Sequence, residues 1–220
     1  MIESALDSLR RGEFILLYDS AGRENEVDMV VAAEHATPEH VSRMRRLAGG
    51  LLCTAVGPQL ASGMDLRYMH DVLAESGYAG MALGTAPYGD RPSFSISVNH
   101  RDTYTGITDR DRALTIRGIG GLAREPDPRA AFLASFNAPG HVPLLAAAPG
   151  MLAERRGHTE MSVYLAGLAG LSPAAAVCEM LDAQTYAALS VEGAAGFARE
   201  HGVPLVDGEE LLAHARVRRN

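Results

Sequence analysis

Residues 19–28, Asp-Ser-Ala-Gly-Arg-Glu-Asn-Glu-Val-Asp, place five ionisable side chains (Asp19, Arg23, Glu24, Glu26 and Asp28) between two apolar runs at 14–18 and 29–33. Apolar runs of that length read as buried strands, so the charged decapeptide reads as a loop leading into a second strand that is charged at its start. Were residues 24–32 extended, Glu24, Glu26 and Asp28 would share one face, because side chains alternate with a period of two. Three carboxylates on one face repel one another unless a cation lies among them. The stretch therefore asks for Mg²⁺, or for Arg23 together with an anionic substrate; the plain alternative is a solvated strand end.

Composition narrows the function classes. All 20 basic residues are arginine. Without lysine the chain cannot form a Schiff base, hold pyridoxal phosphate or build a Walker-type phosphate loop. Arginine instead suits bidentate recognition of phosphate or carboxylate. A formal net charge of −7 and the absence of Trp argue against an extended nucleic-acid surface. No apolar run approaches the ~18 residues of a membrane span, and residues 1–4 lack the basic and apolar regions of a signal peptide, so the expected location is the cytoplasm. Cys53 and Cys178 lack metal-knuckle spacing and read as buried thiols rather than a bridge. At 220 residues and 47% hydrophobic content, the chain fits one domain, 1–220, with a full core.

Helical and strand patterns interleave. Ile2, Leu6 and Leu9 fall at near-helical spacing and stop at Gly12. Strands are expected over 14–18, 29–33 and 51–56, the last carrying Cys53. Thr37 and Pro38 start a helix that runs to Gly49 and Gly50. Gly, Pro, Ser and Asp punctuate 57–92, where loops and short helices are expected. Residues 93–98 alternate strictly as Ser-Phe-Ser-Ile-Ser-Val, the clearest half-buried strand. Thr108 can cap the next helix, with Asp111 answering it. Pro128 opens a short helix, and residues 137–144 read as a rigid turn between prolines that presents His141. Further elements are expected at 161–171 (helix), 173–181, 192–201 (helix) and 204–206 (strand), with a last helix after Asp207. The pattern predicts an α+β (mixed α/β) fold: a single domain, with a mixed sheet flanked by helices in layers.

Two more features bear on function. Arg155, Arg156, Gly157, His158 and Thr159 precede the 161–171 helix, and a helix start with free N–H groups favours phosphate. Glu179 lies inside the apolar run 176–181, where a carboxylate is costly unless it is paired, metal-bound or protonated. A metal-dependent enzyme acting on a small phosphorylated metabolite satisfies all of these features.

Asp-x-x-x-Arg-Glu-Asn-Glu-x-Asp, Thr-x-Thr-Gly-Ile-Thr, Gly-His, Arg-x-Gly-His-Thr-Glu and Cys-Glu-Met-Leu occur in that order between residues 19 and 181. The series resembles the 3,4-dihydroxy-2-butanone 4-phosphate synthases of riboflavin biosynthesis. That resemblance implies a lyase converting D-ribulose 5-phosphate to L-3,4-dihydroxy-2-butanone 4-phosphate and formate, with two divalent ions per subunit, Mg²⁺ or Mn²⁺. It implies metal ligands at Glu24 and His158. Substrate contacts would come from Arg23, Glu24, Asp28, Thr105, Arg155, Arg156, Gly157, His158, Thr159 and Glu179. The catalytic set would be His141 and Glu179 with Glu26 and Cys53, Cys53 lining the pocket. The family works as a homodimer with shared active sites, so Thr105 can belong to the neighbour's site. Asn99 stands where many members carry a strand-terminal Asp, and 57–92 matches least.

Proton abstraction beside a ketose carbonyl gives an enediolate, and each later step develops charge on adjacent oxygens. Divalent ions stabilise such charge by several kcal/mol, and positioned carboxylates and histidine each contribute ~10²–10⁴-fold by moving protons. One rival is a sugar-phosphate isomerase that stops at the enediol and releases no formate. Another is a non-enzymatic module for an anionic nucleotide or RNA, against which the acidic balance counts.

Overall fold

The computed structural model describes residues 1–82 and 84–217; the span 1–220 and the segment 57–92 both include residues outside this set. Seven strands are described: β1 Ile15–Tyr18, β2 Val27–Ala32, β3 Cys53–Val56, β4 Phe94–His100, β5 Phe136–Ala146, β6 Ala174–Glu179 and β7 Leu205–Asp207. They form one mixed sheet in the order β4-β5-β3-β6-β2-β1-β7. The pairs β3–β5 and β1–β7 are parallel and the others antiparallel. The helices are α1 Ile2–Arg10, α2 Pro38–Arg43, α3 Pro58–Gly63, α4 Met69–Ala74, α5 Asp109–Gly121, α6 Pro128–Ser135, α7 His158–Leu168, α8 Val191–His201 and α9 Gly208–Val217. None among the described residues is long and apolar enough to cross a membrane.

Alternation along the strands sorts the apolar residues into two cores. Leu16, Val27, Met29, Val31, Ala176 and Cys178 join Val41 of α2, Ile116 and Ile119 of α5 and Phe132 of α6. Ile15, Leu17, Val30, Cys53, Ala175 and Val177 join Leu6 and Leu9 of α1, Met161 and Leu165 of α7, and Leu211 of α9. The sheet is thus the middle of three layers, and burying each large aliphatic side chain contributes about 1.5–3 kcal/mol. By the same alternation Asp28 and Glu179 fall on the α7 side of the sheet.

Four local expectations change. β2 begins only at Val27, because Asn25 adopts a left-handed conformation (φ 58°) and the chain before it is a loop. The alternating stretch 93–98 leads into β4 with its apolar face only partly as expected: Val98 is buried and Ile96 packs against the core, but Phe94 is 42% exposed while Ser93 and Ser95 are covered. Register shifts between Phe94 and Ser97 and between Val98 and Asn99 break the alternation. The turn expected at 137–144 is instead part of the 11-residue β5. Its prolines, Pro139 and Pro143, are tolerated because pairing with β3 starts at Leu144, leaving the earlier half of β5 with β4 alone. Finally, Thr108 does cap α5 by accepting the Asp111 N–H at 3.1 Å, but the Asp111 carboxylate turns back to the Gly106 N–H at 3.0 Å.

Candidate functional site

The acidic loop is folded around Asp19. This buried carboxylate accepts the backbone N–H groups of Glu24 at 2.9 Å and Glu26 at 3.1 Å, and Nη1 of Arg23 at 3.2 Å. The Tyr18 hydroxyl donates to the Asn25 side-chain oxygen at 2.9 Å. Curling of the loop, rather than the pleat of a strand, is what brings the Glu24 carboxylate to its partner.

That partner is His158, the first residue of α7. The helix begins three residues earlier than its apolar pattern suggests, because Glu160 caps it, accepting the Gly157 N–H at 3.3 Å. The His158 ring is buried, with Nδ1 at 3.2 Å from Glu24 Oε2, Nε2 at 3.2 Å from the Glu26 carbonyl oxygen and at 3.8 Å from Asp28 Oδ1. A carbonyl can only accept, so Nε2 carries a proton. Burial disfavours the imidazolium, but Asp28, Glu24 and Asp19 together outweigh it and hold the ring at about 9. Burial likewise opposes ionisation of Glu24, yet the His158 hydrogen bond and the Arg23 charge bring it down to about 2.

Asp28 responds in the opposite sense. Burial is the main reason its carboxyl is raised to about 7, and Glu179, Glu24 and Glu26 add to the rise against the pull of His158. In the β2–β6 register Asp28 stands directly across from Glu179. Like charges so placed repel. Glu26 is also raised, by burial first and then by Glu24 and Glu179. The Glu179 Oε2 accepts the Leu51 N–H at 2.7 Å, and a Cβ at position 50 would collide with the Glu179 carboxylate, so Gly50 is what lets the chain pass.

Donor atoms of Asp19, Glu24 and His158 all lie within 4.8 Å of one another. The 3.2 Å between Glu24 Oε2 and His158 Nδ1 suits neighbouring ligands of one six-coordinate ion, which sit roughly 3 Å apart at bonds near 2.1 Å. Both oxygens of Asp19 are engaged in holding the loop, which makes it a scaffold for the ligands. Asp28 Oδ1 is buried without a hydrogen-bond partner. Carboxylates with one imidazole fit Mg²⁺ or Mn²⁺. Binding there requires His158 Nδ1 to lose its proton.

An arginine pair closes the other side. Arg23 Nε donates to Asp90 Oδ2 at 2.8 Å, its guanidinium lies 4.9 Å from the Tyr88 ring centre, and Nη1 meets Glu24 Oε1 at 2.9 Å. Arg155 Nη1 donates to the wholly buried Glu160 at 2.6 Å. A Cβ on Gly157 would strike both guanidiniums, so glycine is needed where they converge. Arg23 Nη2 and Arg155 Nε are buried and have no hydrogen-bond partner. Thr159 Oγ1 lies 3.3 Å from Ser93 Oγ.

Glu24, Asp28, Cys53, Arg155, His158, Thr159 and Glu179 line one cavity of about 90 Å³, together with Tyr88, Pro92, Ser93 and Phe94. Burial, and then Glu179 and Asp28, push the Cys53 thiol far up, so it is neutral at working pH. Arg156 is absent from that cavity: it is exposed and lines a neighbouring hollow of about 340 Å³ that it shares with Asp19, Arg23, Tyr88 and Asp90. His141 and Thr105 do not join either. His141 is exposed, its backbone N–H donating to Asn99 Oδ1 at 2.7 Å, while Thr105 sits on the exposed loop before α5 beside Asp111. Sequence reading missed Tyr88, Asp90 and Ser93. The Gly-Asp-Arg-Pro run at 89–92 marks a turn but nothing in it announces the residues 67 positions away that it meets.

The family profile described as 3,4-dihydroxy-2-butanone 4-phosphate synthase matches residues 3–214. An enzyme of that description from Methanothermobacter thermautotrophicus is 46% identical over 217 residues, covering 96% of this chain and 94% of its own. One from Archaeoglobus fulgidus is 44% identical, covering 97% and 93%. Among solved structures, a cation-free form of such a synthase superposes with a TM-score of 0.82 at 30% identity, covering 100% of this chain and 98% of that one. Another, in complex with two magnesium ions, gives 0.81 at 31% identity, covering 97% and 95%.

Proposed function

Because this chain belongs to the 3,4-dihydroxy-2-butanone 4-phosphate synthase family of riboflavin biosynthesis, we propose that it converts D-ribulose 5-phosphate to L-3,4-dihydroxy-2-butanone 4-phosphate and formate. The observation that carries the reading is the pairing of Glu24 with His158 at 3.2 Å beside the convergent Arg23 and Arg155. One end of the site suits divalent ions and the other suits phosphate. The reading includes two ions per subunit, Mg²⁺ or Mn²⁺, a cytoplasmic location, and a homodimer in which the exposed Thr105 serves the neighbouring subunit's site.

Glu24 and His158 would hold the ions, which when bound supply charge stabilisation for oxygens that turn anionic during the reaction. Arg23, Arg155, Thr159 and the N–H groups at the start of α7 hold the phosphate, so binding energy from the unreactive end fixes the reactive carbons. Asp28, raised to about 7, can take up and return a proton near neutrality. Glu26 and Glu179 flank it, and His141 is assigned as a further proton carrier. Cys53, held neutral, shapes the wall. The test is stoichiometry: purified protein with D-ribulose 5-phosphate and Mg²⁺ should release one formate per substrate. An aldose product without formate would overturn the assignment in favour of an isomerase.

A further inference from the structure

We propose that Asp90 is an internal stand-in for the substrate phosphate, occupying the arginine pair until the phosphate displaces it. The inference rests on the reading of Arg23 and Arg155 as the phosphate site.

Asp90 Oδ2 accepts from Arg23 Nε at 2.8 Å and lies 3.8 Å from Arg155 Nε, so a single carboxylate oxygen addresses both guanidiniums. The Arg23 and Arg155 side chains are 8% and 13% exposed; Arg23 also meets Asp19 and Glu24, and Arg155 meets Glu160, so Asp90 is the carboxylate the two have in common. Even with these partners Arg23 Nη2 and Arg155 Nε keep no hydrogen-bond partner. A carboxylate has two oxygens and one negative charge, whereas a phosphate monoester offers three and nearly two charges. The better anion for this pair is therefore the phosphate.

Space permits the exchange. Asp90, on the 88–94 segment, stands between two hollows of about 340 Å³ each, one lined by Arg23, Tyr88 and Asp90 and the other by Asp90, Ser93 and Arg155, so a phosphate has room beside either guanidinium. That segment is held on the site by Asp90 on Arg23, by Tyr88 over Arg23 and by Ser93 at Thr159. Asp90 is itself 30% exposed, at the outer edge, so it can swing to solvent at little cost. Substrate then competes with a group of the protein's own, and the apparent affinity falls by the fraction of molecules in which the pair is free.

The sign of one substitution decides the matter. Titration calorimetry of the Mg²⁺-loaded protein with inorganic phosphate should show about 10-fold tighter binding by Asp90→Asn, the factor expected if the Asp90-bound state dominates ten to one. KM for D-ribulose 5-phosphate should fall with it. The variant should melt lower than the parent without phosphate and equal to it at saturating phosphate. Unchanged or weaker phosphate binding by Asp90→Asn would overturn the proposal and make Asp90 a residue that merely orients the arginines. Asp90→Ala gives a second reading with no acceptor at all; if it does not fold, the isosteric Asn variant decides. Failure of the parent protein to release formate bears on the reaction and leaves the phosphate measurement valid.

Discussion

Asp28 and Glu179 stand directly opposite each other on β2 and β6, on the face of the sheet that α7 covers with His158. Two acids in one buried row, with an imidazole 3.8 Å from the first, make the metal-free site an electrostatic compromise. Its protonation states set how stability varies with pH.

Asp28 titrates ordinarily near 3.8 and at about 7 in the folded protein, so its contribution falls as pH rises between those values and the penalty is complete above 7. His158 titrates ordinarily near 6.5 and at about 9 when folded, so its contribution is full below 6.5 and lost by about 9. Both act in one direction. The metal-free protein should melt at a lower temperature at pH 9 than at pH 6. Asp28→Asn should remove the lower arm of this profile and raise the unfolding free energy at pH 8 by on the order of 1–3 kcal/mol, with a higher melting temperature, while formate release collapses. Differential scanning calorimetry in chelator checks it; a variant less stable than the parent at pH 8 would contradict the charge account.

Glu24→Gln keeps the size of the side chain and removes the charge that His158 and Arg23 share. Mn²⁺ affinity, read by electron paramagnetic resonance, should drop at least 10-fold and turnover by 10² or more, with the circular dichroism spectrum unchanged. Normal activity at ordinary metal concentration would take Glu24 off the ligand set.

Cys53→Ser should retain turnover within about 10-fold, because a thiol this strongly protonated by burial is no nucleophile at neutral pH. Mass spectrometry of the protein quenched during turnover is the direct check. A covalent Cys53 adduct with substrate would reverse this view.

Gly157→Ala tests the convergence of the arginines. Its backbone angles (φ −96°, ψ 170°) are open to alanine, so the cost is the collision of the new methyl with the guanidinium ends of Arg23 and Arg155. KM for the sugar phosphate should rise roughly 10-fold with kcat much less affected, the mark of lost ground-state binding. A fall in kcat at constant KM would place Gly157 closer to the chemistry.

The sequence showed the sheet-and-helix plan, because apolar runs and punctuating residues leave a local trace, whereas Glu24 and His158 were joined only through the family resemblance and stand 3.2 Å apart in the structure. It misread how Glu24, Glu26 and Asp28 come together, since a left-handed Asn25 replaces strand alternation with a curl organised by Asp19. It missed the exposure of Phe94 and the burial of Ser95, since bulges in a strand pair are a property of two segments rather than one. Arg155 and Arg156 are neighbours with opposite outlooks, one in the cavity and one outside it. Only the path of the turn before α7 separates them. Tyr88 and Asp90 lay beyond reach because their partners are distant in the chain.

The start of α7 has a consequence for how this enzyme can vary. Gly157, His158, Thr159 and Glu160 are four consecutive residues, and each faces a different client: the guanidiniums, Glu24, Ser93, and the Ala148 N–H that Glu160 accepts at 2.9 Å. Successive residues of a helix point about 100° apart, so one inserted or deleted residue would re-aim every one of them at once. Substitutions elsewhere on the helix can be absorbed one at a time. The length of this turn is therefore held by four contacts together, where each single side chain in it is held by its own.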